Sequence, residues 1–543
     1  MGQAVPLKSQ DLPHASSSPQ AAMFTALLLL LCPLLFLLRH RFRGRGEEEE
    51  ILLRKLPSPP QRLPIIPHVS LRDLTAEHGR DGLMLLRLGA SPTLVVSSPR
   101  AAQAVMRTQD HVFAFRYFRK SALSVESVFL ADILFYGSTD VAFSPYGDHW
   151  RQVRRIATTH LLTNRKVRSY RHAREREVSS VISAIRDAAR DGAAVDLSEL
   201  LNAFANDVVC HAVCGKLFRE EGRNRLFREL VEANSSLIGG FNLEDYFPAL
   251  AKLDIVKRIV CAKAQKVHRA WDDLLEKLID GHQNAENKPP ADLSSPEDDD
   301  DSDFIDVLLS VQQQYSLTRD HIKAQLAIMF EAGTDTSFIV LEYAMVELMQ
   351  NPHVMTKLRA EVRALTAMAL PKDDGVLLVT KDELSSSGVP YLKAVIKETL
   401  RLHVPAPLLV PHLSMADCEI QGYTIPAGTR AIVNAWALAR DPSHWDRPEE
   451  FMPERFIVEE GGSAAAVDHK GNDFLYLPFG TGRRICPGIN FAIATIEVML
   501  ANLVYHFDWE LPQGVTSIDM TESFGLTVHR TEKLLLVPRV PHA

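Results

Sequence analysis

Cys486 stands in "FGTGRRICPG", Phe479 to Gly488, a lone thiol among glycines, two arginines and a Pro-Gly. The chain has six cysteines, Cys32, Cys210, Cys214, Cys261, Cys418 and Cys486, in 543 residues, and no two are spaced C-x-x-C. A disulfide framework is therefore not implied in a chain of this length, and a structural zinc site is unsupported. Cys210 and Cys214 lie at helical spacing in an apolar run, where small buried thiols are common. Cys486 differs because the apolar segment Phe491 to Phe507 follows it directly. A thiol at a helix N-terminus has its thiolate favoured by the helix dipole and by free N–H groups. Gly480, Gly482 and Gly488 strip side chains from around it, so the backbone can approach something flat, and Arg484 adds a cation. The chemistry on offer is that of a thiolate facing a flat partner.

Two further segments carry residue types that an ordinary helix avoids. "AGTDTS", Ala332 to Ser337, stands in the middle of an apolar helix expected from about Thr318 to Gln350. Glycine there costs about 1 kcal/mol relative to alanine, and hydroxyls compete for backbone hydrogen bonds. The segment reads either as a local kink or groove at a functional site or as a polar patch at a helix crossing. The second segment is the helix "YLKAVIKETLRLH", Tyr391 to His403, with Glu398 and Arg401 one turn apart. They form a surface pair worth a few tenths of a kcal/mol, or a buried triad completed by Arg455 of "FMPERF".

These segments need a body to hold them. From about residue 68 the chain reads as long helices with short loops and no internal repeat, while strand-like alternation is confined to Gly82–Ser98 and Cys418–Ala439. The expectation is a single mainly helical domain with a minor β region over residues 68–543, interrupted by a disordered acidic loop at 282–303. The net charge of −8 argues against nucleic acid as a partner. Residues 1–20 read as a flexible leader. Ala21–Leu38 is an uncharged apolar run of about 27 Å as a helix, enough to cross a bilayer. Arg39, Arg41, Arg43 and Arg45 after it, against Lys8 before it, place the body on the cytoplasmic side. Residues 39–67 form a basic, acidic and then proline-rich hinge, with Pro57, Pro59, Pro60, Pro64 and Pro67 opposing a helix.

Taken together, five ordered motifs resemble the cytochrome P-450 haem-thiolate monooxygenases across roughly residues 60–540. "FGTGRRICPG" resembles the haem-binding loop, "AGTDTS" the oxygen-activating motif, "ETLR" and "PERF" the glutamate–arginine triad, and "WRQVR" the W-x-x-x-R element. "LPSPP", "FSPYGDHWRQVRRI" and "DYFP" resemble plant microsomal members making specialised metabolites. "GRDGLMLLRLGASPTLVVSSPRAAQAVMRT" resembles the grass enzymes that oxidise indole-derived precursors of benzoxazinoids.

The resemblance implies a cytochrome P-450 haem domain behind an N-terminal transmembrane helix in the endoplasmic reticulum. It implies haem b with Cys486 as thiolate ligand, and Trp150, Arg154, Arg484, Phe479, Gly482, Gly488 and His412 around the cofactor. It makes Thr336 and Asp335 the proton-delivery residues, and Glu398, Arg401 and Arg455 a structural triad. The substrate-contact candidates are Phe330, Ala332, Gly333, Val404, Leu408, Phe524 and the loop 116–136. The implied partners are the bilayer, NADPH–cytochrome P-450 reductase, cytochrome b5, O2 and a small hydrophobic substrate. His412 replaces a frequent arginine, which implies a weaker or pH-sensitive propionate contact. Val404 stands where proline is usual. Rearranging haem-thiolate relatives tend to lose the threonine, so Thr336 argues for oxygen chemistry; the intact pair of motifs argues against a haem sensor.

Overall fold

The computed structural model describes residues 47–59, 67–88, 91–116, 130–215, 223–238, 254–286, 302–366, 378–458 and 461–541. The leader, the apolar run 21–38, most of the hinge, residues 117–129 of the substrate loop and residues 287–301 of the acidic loop lie outside them.

Nine helices matter to the site: α1 Asp148–Ile156, α2 Arg171–Arg190, α3 Leu197–Cys214, α4 Arg223–Ile238, α5 Asp254–Glu286, α6 Arg319–Gln350, α7 Pro352–Thr366, α8 Pro390–Leu402 and α9 Ile489–His506. The central one is α6. Thr318 caps it, accepting from the His321 N–H at 3.2 Å while His321 Nδ1 accepts from the Thr318 N–H at 3.3 Å. It ends at Asn351, and Pro352 opens α7. Ile322, Leu326, Ile339, Leu341 and Tyr343 are all nearly inaccessible, as expected of a helix that is apolar all round. No break occurs at "AGTDTS": α-helix runs through it. The helix packs closely at that point, as at a helix crossing: a Cβ on Gly333 would lie 2.8 Å from Val209 Cγ2 of α3.

The described helix with the length and apolarity to cross a membrane is α9, and 67% of it is buried inside the protein. It is a core helix, packed against α6, α7 and α8.

The main sheet has five strands: β1 Leu83–Leu88, β2 Ser91–Val96, β3 Phe115–Arg116, β4 His412–Leu413 and β5 Arg430–Val433. Their order is β1-β2-β5-β4-β3, with β2 and β5 parallel and the rest antiparallel. The register places Arg116 opposite His412. Near the C-terminus, β6 Glu522–Phe524 and β7 Val528–Arg530 form a hairpin pairing Ser523 with His529.

Three boundaries differ from the sequence reading. Pro67 opens the helix Pro67–His78 instead of closing an extended hinge, since proline suits a first helical turn. Alternation after Val433 gives way to the short helix Ala435–Leu438, capped by Asn434. The ends of the acidic loop are ordered: α5 runs on through His282, whose Nε2 lies 2.7 Å from Asp303 Oδ2, and Asp303 caps the next helix.

Candidate active site

The Cys486 loop is held by its own backbone. The Cys486 N–H donates to the Phe479 carbonyl at 3.0 Å, and the Gly488 N–H donates to Cys486 Sγ at 3.3 Å. Gly482 adopts φ +68°, and a Cβ there would lie 2.5 Å from the Met106 carbonyl oxygen. α9 begins at Ile489, directly after the thiol. Burial holds the Cys486 thiol above its usual range, with the Gly488 N–H and the Arg154 charge pulling the other way. What surface the residue shows faces an internal cavity of about 290 Å³, whose wall also includes Ala332, Gly333 and Thr336 of α6.

One rim of that cavity is basic. Arg116, Arg154, His412 and Arg484 all line it. Arg484 donates to the carbonyls of Ala114 at 2.8 Å and Ser144 at 2.6 Å and lies over the Trp150 ring at 4.3 Å. Arg116 donates to the Val410 carbonyl at 2.7 Å and approaches His412 Nε2 at 3.1 Å. The Arg154 guanidinium makes no hydrogen bond among the described residues, although the Arg154 carbonyl accepts from the Thr158 hydroxyl at 2.9 Å. Burial presses all three guanidiniums below their ordinary range, and repulsion from Arg154 adds to this for Arg116 and Arg484. Asp140, itself pushed up to about 6 by burial, is the carboxylate that favours charge on Arg116 and Arg484. The rim is left with an excess of buried positive charge, which an anionic group would relieve.

His412 lies buried between the Phe113 carbonyl and Arg116. Burial, and then the Arg116 charge, push it down to about 3, while its Nδ1 lies 2.6 Å from the Phe113 carbonyl oxygen. Nδ1 therefore carries the proton, Nε2 accepts from Arg116, and the ring stays neutral across the physiological range. A guanidinium that the sequence reading did not single out, that of Arg116 on β3, lies beside His412 on this rim. Its signal was faint: a lone arginine closing the apolar alternation "HVFAFR".

The other candidates divide. Glu398, Arg401 and Arg455 come together fully buried, with Nε–Oε distances of 2.7 and 3.0 Å to the carboxylate. The Trp150 indole N–H is already donated to the Val141 carbonyl at 3.0 Å, so Trp150 serves as the platform under Arg484. Thr336 faces the cavity, its hydroxyl donating back to the Ala332 carbonyl at 2.8 Å. Asp335 turns aside and accepts from the Thr527 hydroxyl. Phe330 stacks on Phe227 of α4, 4.1 Å between centroids, instead of lining the cavity. Val404 is buried beside Pro405 and Ala406, which do line it. Leu408 packs against Leu71, Met84, Leu86 and Val95, away from the thiol. Phe524 is 39% exposed and stacks on His68, so the hairpin directs it outward.

Comparison with known proteins fits this arrangement. Residues 61–537 match the family model described as Cytochrome P-450. The chain belongs to the cytochrome P-450 family. It is 51% identical to an indole-2-monooxygenase of Zea mays, over 97% of this chain and 98% of that protein. It is 53% identical to an indolin-2-one monooxygenase of Zea mays over 89% of each chain, and 52% identical to a 3-hydroxyindolin-2-one monooxygenase of Zea mays over 89% and 88%. A zebrafish cytochrome P-450 solved with progesterone shares the fold, with a TM-score of 0.69 at 24% identity over 88% of this chain and all of that one.

As a cytochrome P-450 the protein is a monooxygenase using haem with a cysteine thiolate ligand. The residues present fit that group. Haem b brings two carboxylates, and the rim offers three guanidiniums, two of which have Asp140 as the carboxylate acting on them. The thiol is held up by burial in the protein alone, and a metal cation at the sulfur reverses that preference.

Proposed function

We propose that this protein is a membrane-anchored haem-thiolate monooxygenase of the endoplasmic reticulum that oxidises an indole-type bicyclic metabolite, with Cys486 as the iron ligand. The observation that carries the reading is one cavity with the Cys486 thiol and the Thr336 hydroxyl both on its wall. The names of three relatives at about half identity supply the substrate class. Residues 21–38 form the single span, with residues 68–543 on the cytoplasmic side and electrons arriving from NADPH through the reductase, with cytochrome b5 as an auxiliary donor.

Bound haem supplies the activation of O2 and the transfer of one oxygen atom to the substrate. The chain's own residues do the rest. Arg116, Arg154 and Arg484 would hold and neutralise the propionates, and the Gly488 N–H would temper the charge on sulfur. Val209 and Gly333 bring α3 and α6 close behind the cavity. Thr336 holds a proton donor at the cavity wall, and Asp335 replenishes it.

Reconstitution with a plant reductase tests this directly. Indole, indolin-2-one and 3-hydroxyindolin-2-one should give oxygenated products by mass spectrometry, while terpenoids and phenylpropanoids should not. Turnover confined to the latter two classes would remove the indole assignment. Within the same assay, Thr336→Ala should load haem normally yet lower product formed per NADPH by about tenfold or more, with peroxide rising to match. Unchanged coupling would move proton delivery elsewhere.

The reductase face is the outer side of α1. Arg154 points inward, whereas Arg151 and Arg155 are exposed, Arg151 pairing with Asp148 at 2.6 Å. Opposite charges across a docking face mainly raise the encounter rate and weaken with salt. Charge reversal at Arg151 and Arg155 should therefore slow reductase-driven turnover most at low salt, while peroxide-driven turnover persists. Equal loss by both routes would assign these arginines to the fold.

A further inference from the structure

The β6–β7 hairpin meets α6 at Asp335. The Thr527 hydroxyl donates to Asp335 Oδ2, and His529 Nδ1 lies 3.7 Å from Asp335 Oδ1. The Asp335 side chain is 14% exposed and the His529 side chain 34%, so the imidazole is the outer partner and the carboxyl the inner one. The hairpin is fixed by other bonds. The Val528 N–H donates to the Pro405 carbonyl at 2.9 Å, the Tyr343 hydroxyl donates to Glu522 at 3.3 Å, and Arg530 Nη2 donates to the Asp519 carbonyl at 2.8 Å.

The neighbouring acids are otherwise engaged. Glu331, one turn before Asp335, is buried against Ser235 and Asn234 of α4; its carboxyl accepts from the Ser235 hydroxyl at 2.6 Å and is pushed up to about 8, chiefly by burial. Glu342, two turns after Asp335, accepts from Ser198 and lies 3.6 Å from Arg530 Nη1. Among the described residues, His529 is the partly exposed titratable side chain that lies against Asp335 Oδ1.

We propose that His529 is the proton intake of the α6 acid: it takes a proton from bulk water and passes it to Asp335. This rests on the reading above, in which Asp335 and Thr336 supply protons to the cavity. In the step, the His529 Nδ1–H bond breaks and an O–H bond forms on Asp335 Oδ1. The imidazolium becomes neutral imidazole with its remaining proton on Nε2, and a ring flip that carries the vacated Nδ1 to solvent lets it regain a proton from water before it turns back. Asp335 returns to carboxylate when its proton leaves towards the cavity, and no electrons move. A small rotation of the imidazole closes 3.7 Å to hydrogen-bond length. Thr527 is a positioning residue: by occupying Oδ2 it leaves Oδ1 turned to His529.

The test compares His529→Leu, His529→Gln and Thr336→Ala in the reductase-driven enzyme, with the indole compound turned over best in the panel. Peroxide released per NADPH and the solvent deuterium isotope effect are read beside haem content and melting temperature. Both His529 variants should keep haem and melting temperature, release more peroxide, and slow the proton-dependent step about tenfold, short of the roughly 10²–10⁴ of a direct donor. Wild-type coupling in His529→Gln would mean that hydrogen bonding suffices, which overturns the proposal. Coupling lost together with haem or melting temperature makes the role structural and overturns it equally. If Thr336→Ala is also fully coupled, the proton-supply reading itself falls, and the two failures are thereby told apart.

Discussion

Cys486→Ser should reduce monooxygenase turnover to background and abolish the absorption signature of thiolate ligation in the reduced, CO-bound protein. The substitution is nearly isosteric, and the serine hydroxyl can still accept from the Gly488 N–H as Cys486 Sγ does at 3.3 Å. The loop, the Phe479 bond and the start of α9 are therefore preserved, so a large effect reports the sulfur itself. Thiolate is a soft, electron-rich ligand that iron accepts readily; an alkoxide at neutral pH is not available to it. Cys418→Ser is the matched control. Cys418 is also buried, and its thiol is pushed up to about 11 by burial, but it sits in a β-hairpin between Glu419 and Asp417 with no glycine loop around it. Its variant should retain the signature. A Cys486→Ser protein that keeps the thiolate band would show that the iron ligand lies elsewhere.

The parts of this site that could be read from sequence are those whose reason is local. Cys486 and Gly488 lie two residues apart, and the apolar run that becomes α9 follows at once, so the thiol's surroundings are written in one segment. α6 and α8 are found within a residue or two of their expected ends because Thr318, Asn351-Pro352 and Pro390 are local stop and start signals. What escaped depends on distant strands. Arg116 reaches the rim through its pairing with His412, 296 residues away, and no local pattern announces that register. Asp335 turns towards Thr527, 192 residues on, so its direction is decided by a hairpin and not by α6. Phe524 illustrates the two-residue period of strands: an aromatic on one face of β6 points outward, while the segment it belongs to still supports the site. Gly333 was legible as an anomaly, but glycine marks either a break or a close approach, and only the position of Val209 selects the second.

Glu398→Ala should prevent accumulation of folded, haem-loaded protein, and the reason is charge more than volume. Glu398 accepts from Arg401 Nε at 2.7 Å and Nη2 at 2.9 Å, from Arg455 Nε at 3.0 Å and from the Met452 N–H at 2.8 Å. All three side chains are fully inaccessible. The remaining guanidinium protons are not idle: Arg401 donates to the Ala439 and Pro448 carbonyls at 2.7 Å, and Arg455 to the Asp446 carbonyl at 2.8 Å. The carboxylate thus ties α8 to the segment 439–455, and the two arginines satisfy that segment's carbonyls in turn. Removing it strands two buried cations side by side, a loss of about 3–5 kcal/mol for breaking a buried pair. That is a large fraction of the roughly 5–15 kcal/mol by which a native protein is stable. Glu398→Gln keeps the shape and one acceptor oxygen but not the charge, so it should fall between wild type and alanine in denaturant midpoint. Arg401→Lys keeps the charge but loses the planar fork that makes both bonds to the carboxylate, and it should be destabilised as well. If Glu398→Ala unfolds at the wild-type midpoint with haem in place, the carbonyls alone hold Arg401 and Arg455, and the carboxylate is dispensable to the fold.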